Sequence, residues 1–447
     1  METIVSQMQA LAAGRVSARA LVEACLERML DPAGEGSRAF IDIQAAAARS
    51  LADAADMQRR VGRAPSPFAG IPISLKDLFD IAGETTRAGS AVLTGTAKAI
   101  DHAPVVARVL AAGMVPLGRT NMTEFAFSGL GINPHYGTPR SPWDRGSGRI
   151  PGGSSSGAAV SVADGMATGA LGTDTGGSCR VPAALCGVTG YKPTARRVPL
   201  AGVLPLAPSL DSVGPLAPSV TCCALLDAVL AGETPLAPVP RGVAGLRLAL
   251  PANIMRDGMD VPTATAFERA IAALSDAGAQ VSVVRFPVLD AIGAANRLGG
   301  FAAAEAYAWH RTLLATKGDG YDPRIRVRIE RGAQQTAADY CDLVAARRRL
   351  IIEMNAATAP FDALLMPTVP ITPPTIASLK DESEYNRINM LLLRNCAYWN
   401  FLDRCAISLP CHRQGEPPAG LMLVGETLGD AALLAIAHGV EQVVTPL

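Results

Sequence analysis

Of the 40 basic residues in this 447-residue chain, only Lys76, Lys98, Lys192, Lys317 and Lys380 are lysine, and the rest are arginine. Arginine holds its proton at any working pH, whereas a buried lysine can lose one. Lys76 closes the short run Ile71-Pro72-Ile73-Ser74-Leu75, a place where desolvation would pull its pKa toward neutrality and make it a base. Glycine and serine crowd residues 137 to 178, where glycines let backbone approach backbone or ligand. Within that stretch Gly153-Ser154-Ser155-Ser156-Gly157 fits G-x-S-x-G, the elbow that would make Ser155 an esterase nucleophile. Its surroundings argue against that, because Gly148-Arg149-Ile150-Pro151-Gly152 is not a credible strand and no HGG motif precedes it. A phosphate cradle fares worse, since neither G-x-x-x-x-G-K-[ST] nor a helix-opening G-x-G-x-x-G after a strand is present.

Three distant segments fit together better: Ile71 to Asp80 (IPISLKDLFD), Pro151 to Gly157 (PGGSSSG) and Gly169 to Gly190 (GALGTDTGGSCRVPAALCGVTG), the last followed by Tyr191-Lys192-Pro193-Thr194. In order and internal spacing they resemble the amidase signature family. Gly118 to Phe125 (GRTNMTEF), Leu210 to Pro215 (LDSVGP) and Gly415 to Gly425 resemble further pieces of it. The likeness is strong from about 70 to 217 and weak between 235 and 390. It implies a nucleophilic Ser178, a bridging Ser154 held by a cis peptide bond, and Lys76 as base. Neutral Lys76 would take a proton from Ser154, which takes one from Ser178 as it attacks a carbonyl carbon. Successive N–H groups of Thr175, Gly176, Gly177 and Ser178 would form a nest for the oxyanion. Asp174 and Arg180 would hold the loop, Ser155 would help fix Ser154, and Lys192 reads as structural. Cys179 stands where many relatives carry Ile, and reads as a packing substitute. Taken singly, Lys76 is a surface ion pair with Asp77 or Asp80, Ser178 a helix N-cap, and residues 154 to 156 loop hydroxyls. The joint match in order and spacing outweighs those separate readings.

The elements that must position these residues are partly visible. Val22, Cys25, Leu26 and Met29 follow helical spacing after a capping Ser17. A strand at 71 to 76, a helix at 105 to 112 and a strand at 114 to 118 make a crossover unit and predict a mostly parallel, buried sheet. Further on, strands are expected at 246 to 250, 281 to 286 and 363 to 366. Helices are expected at 264 to 274, 302 to 314 and 336 to 354. No composition break or repeat appears, so residues 1 to 447 read as one large α/β domain, a twisted mixed sheet covered by helices.

Composition narrows the function. Forty Lys and Arg balance 40 Asp and Glu, which argues against a nucleic-acid partner. No apolar run is long enough to span a membrane, and the start Met1-Glu2 lacks a signal-peptide pattern, so a cytoplasmic location is expected. The nine cysteines show no CxxC pair or zinc spacing and read as small buried hydrophobes. The five histidines sit in unrelated contexts and read as packing or surface residues. Neither a metal nor an organic cofactor is implied. The resemblance implies hydrolysis of a small-molecule amide, anilide or carbamate (urethane), with the glutaminase component of a tRNA-dependent amidotransferase as the alternative. The acyl pocket would involve Ala126, Phe127 and Ser128, and loosely residues 302 to 314 and 394 to 399. The low aromatic content, 4%, points to an apolar, roomy pocket. Oligomeric state is not encoded in these motifs.

Overall fold

A computed structural model of the chain describes residues 2–444. Among them one 11-stranded sheet runs through the molecule in the order β1-β3-β2-β4-β6-β5-β10-β11-β9-β7-β8. In chain order the strands are β1 Phe40–Ile43, β2 Pro72–Lys76, β3 Val115–Thr120, β4 Gly169–Thr173, β5 Thr189–Lys192, β6 Val213–Ala217, β7 Arg247–Pro251, β8 Gln280–Val284, β9 Ala363–Pro367, β10 Ala406–Pro410 and β11 Gly420–Val424. Alternate residues face opposite ways, as a strand requires. Leu365, Ile407, Leu421 and Leu423 enter one apolar cluster, whereas Leu364, Met366, Ala406, Met422 and Val424 enter another. Helices cover both.

The sheet is mixed, as expected for the domain as a whole, and the mostly parallel arrangement suggested by the crossover unit at 71 to 118 is corrected. Parallel pairing is confined to β3-β2-β4 and β9-β7-β8. Between them, β4-β6-β5-β10-β11-β9 is antiparallel throughout. The physical reason is visible at β10 and β11, which are joined by residues 411–419 with no helix to carry the chain back for parallel pairing.

The Ala18–Leu30 helix begins where expected, with the Ser17 hydroxyl accepting from Ala20 N–H at 3.0 Å. The later helix starts three residues ahead of the expected position, at Val261, because Asp260 caps it and Pro262 occupies its first turn. β2 is buried along its whole length, and Lys76 is its last residue. The register Leu75↔Leu171 sets Lys76 beside the carboxyl end of β4. Three segments thus leave the same edge of three neighbouring parallel strands: residues after Thr120, after Lys76 and after Thr173. That edge is where ligands of parallel sheets bind.

Candidate active site

Lys76 is fully buried, and its Nζ donates to Ser154 Oγ at 2.7 Å and to Thr173 Oγ1 at 2.8 Å. Burial lowers its pKa from the usual 10.5 to about 7, only partly opposed by Cys179, Asp174 and Asp211. Ser154 follows a cis Gly153–Ser154 peptide, and a side chain on Gly153 would run into Gly131 N at 2.6 Å. Ser155 N–H donates to the Ser178 carbonyl at 3.3 Å, which sets the two serine segments side by side. No direct bond between the Ser154 and Ser178 hydroxyls is formed among the described residues. Ser178 is 4% exposed and precedes the Arg180–Cys186 helix, whose N-cap is Cys179, so Ser178 is not an N-cap.

Asp174 organises the loop between β4 and that helix. Its Oδ1 accepts from Gly177 N–H at 2.8 Å, and its Oδ2 accepts from Cys179 N–H at 3.1 Å. Arg180 grips both oxygens, at 2.8 and 3.0 Å. Burial alone would raise the Asp174 pKa, but Arg180, Lys192 and Asn400 hold it well below the ordinary carboxylate range. Gly177 therefore spends its N–H on Asp174, which corrects the four-donor nest. The N–H groups of Thr175, Gly176 and Ser178 have no acceptor among the described residues. The Thr175 hydroxyl is tied to Asp211. Cys179 is buried and its thiol pKa is raised by desolvation, as a packing residue requires. Lys192, also buried, donates to the Pro193 carbonyl at 2.8 Å.

The expected pocket segment leaves β3 and turns sharply, with Phe125 and Ala126 both in the left-handed region at φ 50° and 60°. Ala126 is buried and Phe127 half-buried. Ser128 faces inward, donating to Asn389 Oδ1 at 2.8 Å and accepting from Tyr385 Oη at 2.9 Å, so its hydroxyl is already engaged. Arg328, which no motif marks, lies over the Phe127 ring at 5.7 Å and donates to the Phe127 carbonyl at 3.0 Å. It has no carboxylate partner among the described residues, and burial lowers its pKa. Tyr385, Asn389 and Asn400 were equally unmarked, whereas Thr173, the last residue of β4, lay inside the Gly169 to Gly190 segment but was given no role there.

Ser155 donates to the Thr173 carbonyl at 3.3 Å, and no histidine is bonded to it. His135 pairs with Glu124 and His310 with Tyr321, while His102, His412 and His438 bond backbone groups. The serine-histidine esterase thus lacks its base. Eight cysteines are buried, but Cys341 is exposed, correcting the expectation that all nine are core residues.

Comparison with known proteins agrees with this geometry. The family model "Amidase" matches residues 20–434. A 2-amino-5-chloromuconic acid deaminase of Comamonas testosteroni is 37% identical over 446 residues, covering 96% of this chain and 93% of that protein. A glutamyl-tRNA(Gln) amidotransferase component of Chloroflexus aggregans is 35% identical over 99% of this chain and 96% of its own. A crystal structure of an amidase superposes with a TM-score of 0.89 at 32% identity, covering 99% of both chains. With the family model spanning most of its length and a solved amidase sharing its fold, this chain is a member of the amidase signature family of hydrolases acting on C–N bonds.

Proposed function

We propose that this enzyme cleaves amides through an acyl intermediate on Ser178, with Lys76 as base and Ser154 as relay. One observation carries the reading: a buried lysine with its pKa near 7 is bonded at 2.7 Å to Ser154. Near neutral pH a large share of Lys76 is the free amine, able to accept a proton from Ser154 as Ser154 accepts one from Ser178. The oxyanion falls to the N–H groups of Thr175, Gly176 and Ser178, held open because Asp174 takes Gly177 N–H. The relay run backwards protonates the leaving nitrogen, and water then hydrolyses the acyl-enzyme.

The substrate carries a carboxylate. Arg328 supports this, as a half-buried cation beside the pocket segment, with one arm on the Phe127 carbonyl and no carboxylate partner among the described residues. The Comamonas testosteroni relative is also named for acting on an acid. The alternative, glutaminase activity within an amidotransferase complex, is supported by the name of the Chloroflexus aggregans relative. Glutamine would further need an acid for its ammonium group. Two carboxylates on the elements that carry the pocket segment and Arg328 are spent: Asp322 on Arg324, and Glu124 on Ser90, His135 and Asp322 N–H. The site around Arg328 therefore favours a carboxylated amide without that group, cleaved by the chain alone.

The test is a hydrolysis screen of purified protein with matched amide, anilide, carbamate and ester substrates, with and without a distal carboxylate, plus glutamine. Amide turnover that vanishes in Ser178→Ala is expected. In Arg328→Leu the preference for carboxylated amides should fall at least tenfold in kcat/KM. Activity that survives Ser178→Ala would overturn the reading.

A further inference from the structure

The Glu382–Phe401 helix touches both halves of the site with one face. Near its start Tyr385 and Asn389 hold Ser128, and Asn389 Oδ1 also accepts from Gly129 N–H at 2.8 Å. One turn on, Leu393 lies so close to Gly129 that a side chain there would meet it at 2.7 Å. Another turn on, Cys396 lies so close to Gly177 that a side chain there would meet it at 2.6 Å, and Ala397 stands beside Gly176. At the far end Asn400 Nδ2 donates to the Asp174 carbonyl at 3.0 Å and to its Oδ1 at 2.9 Å, while Asn400 Oδ1 accepts from Arg180 at 2.6 Å. Asn389 and Asn400 are eleven residues apart, about three helical turns and about 16 Å, so they point the same way.

We propose that this helix is the ruler that sets the pocket segment against the nucleophile loop, with Asn400 and Asn389 as two separate positioning residues. The inference rests on the catalytic reading of Ser178 given above. Asn400 fixes Asp174, Asp174 fixes Gly177 N–H, and the remaining N–H groups are thereby aimed at the oxyanion. Asn389 fixes residues 128 and 129, and so the wall that receives the acyl chain. The two ends therefore govern different kinetic constants: Asn400 acts on the transition state and Asn389 on substrate fit.

The experiment measures kcat and KM across a series of amides of increasing acyl length, with wild type and Ser178→Ala alongside and folding checked by circular dichroism. Asn400→Asp is close to isosteric and keeps the acceptor for Arg180 but cannot donate to Asp174. It should lower kcat tenfold to a hundredfold with KM within twofold, and Asn400→Ala should match it. Asn389→Ala should raise KM at least fivefold and reorder the acyl series, with kcat within threefold. Asn389→Asp, which keeps the oxygen that Ser128 and Gly129 use, should restore wild-type KM and order. Wild-type kcat in Asn400→Asp, with Ser178→Ala silent, overturns the inference alone. So does an Asn389→Asp as impaired as Asn389→Ala, since the amide nitrogen would then be contacting substrate directly. Activity surviving Ser178→Ala overturns both this inference and the catalytic reading beneath it.

Discussion

A lysine whose pKa falls from 10.5 to about 7 ties activity and stability to the same proton. The base must be neutral, so kcat/KM is expected to rise with pH through about 7 and to fall about tenfold per unit below it; a profile flat from pH 5.5 to 8 would remove Lys76 from the mechanism. Lys76→Met should abolish turnover. For stability the native pKa is the depressed one, so between about 7 and 10.5 the unfolded chain binds a proton that the native chain does not, and stability rises with pH. Lys76→Met lacks this dependence. Urea unfolding at pH 7.5 and 9.5 should therefore show the advantage of the variant over wild type shrinking by roughly 1.4 kcal/mol per pH unit. That Lys76, Ser154 and Ser178 would gather in one place was legible because each sits in a contiguous motif. The contacts of Arg328, Asn389 and Asn400 with the pocket and nucleophile loops were not, because each sits on an ordinary helix that meets a loop hundreds of residues away only in the fold.

At the level of elements, Gly177 is where the helix and the nucleophile loop meet. Its φ of 128° disfavours any side chain, and an added Cβ would lie 2.6 Å from Cys396 Cβ. Gly177→Ala is expected to keep the fold, by circular dichroism, while lowering kcat at least a hundredfold; undiminished kcat would show that the helix need not lie so close. The strands legible in sequence were those with largely apolar runs bounded by glycine, proline or charge, such as Ile71 to Leu75 and Ala363 to Met366. β4, β5 and β6 escaped notice because Gly169, Gly172, Gly190, Gly214 and Pro215 disguise them as loop. Pro215 sits in a strand paired on both sides, opposite Leu171, where proline is seldom found. Missing these strands also hid the antiparallel centre of the sheet, so the parallel pattern at one end was extended too far.

Across the whole molecule, 40 positive side chains meet 40 negative ones at a sequence pI of 7.0. Net repulsion between copies vanishes near neutrality, the same range in which Lys76 loses its proton. Solubility in polyethylene glycol is expected to pass through a minimum near pH 7 and to improve toward pH 5.5 and 9; a monotonic trend would contradict it. The likeness to the amidase signature family, strong from about 70 to 217 and taken up again at 415 to 425, allowed a single α/β domain with a mixed sheet to be anticipated, but not the order of its strands. The burial of the thiols belongs to this scale too. Eight of the nine are buried, and Cys341 alone is exposed, on the outer side of the Ala337–Thr358 helix. Each chain thus carries its own folding meter: an alkylating dye should attach once to the native enzyme and nine times in denaturant. The mass of the labelled protein then reports the unfolded fraction of any variant above without an added tag.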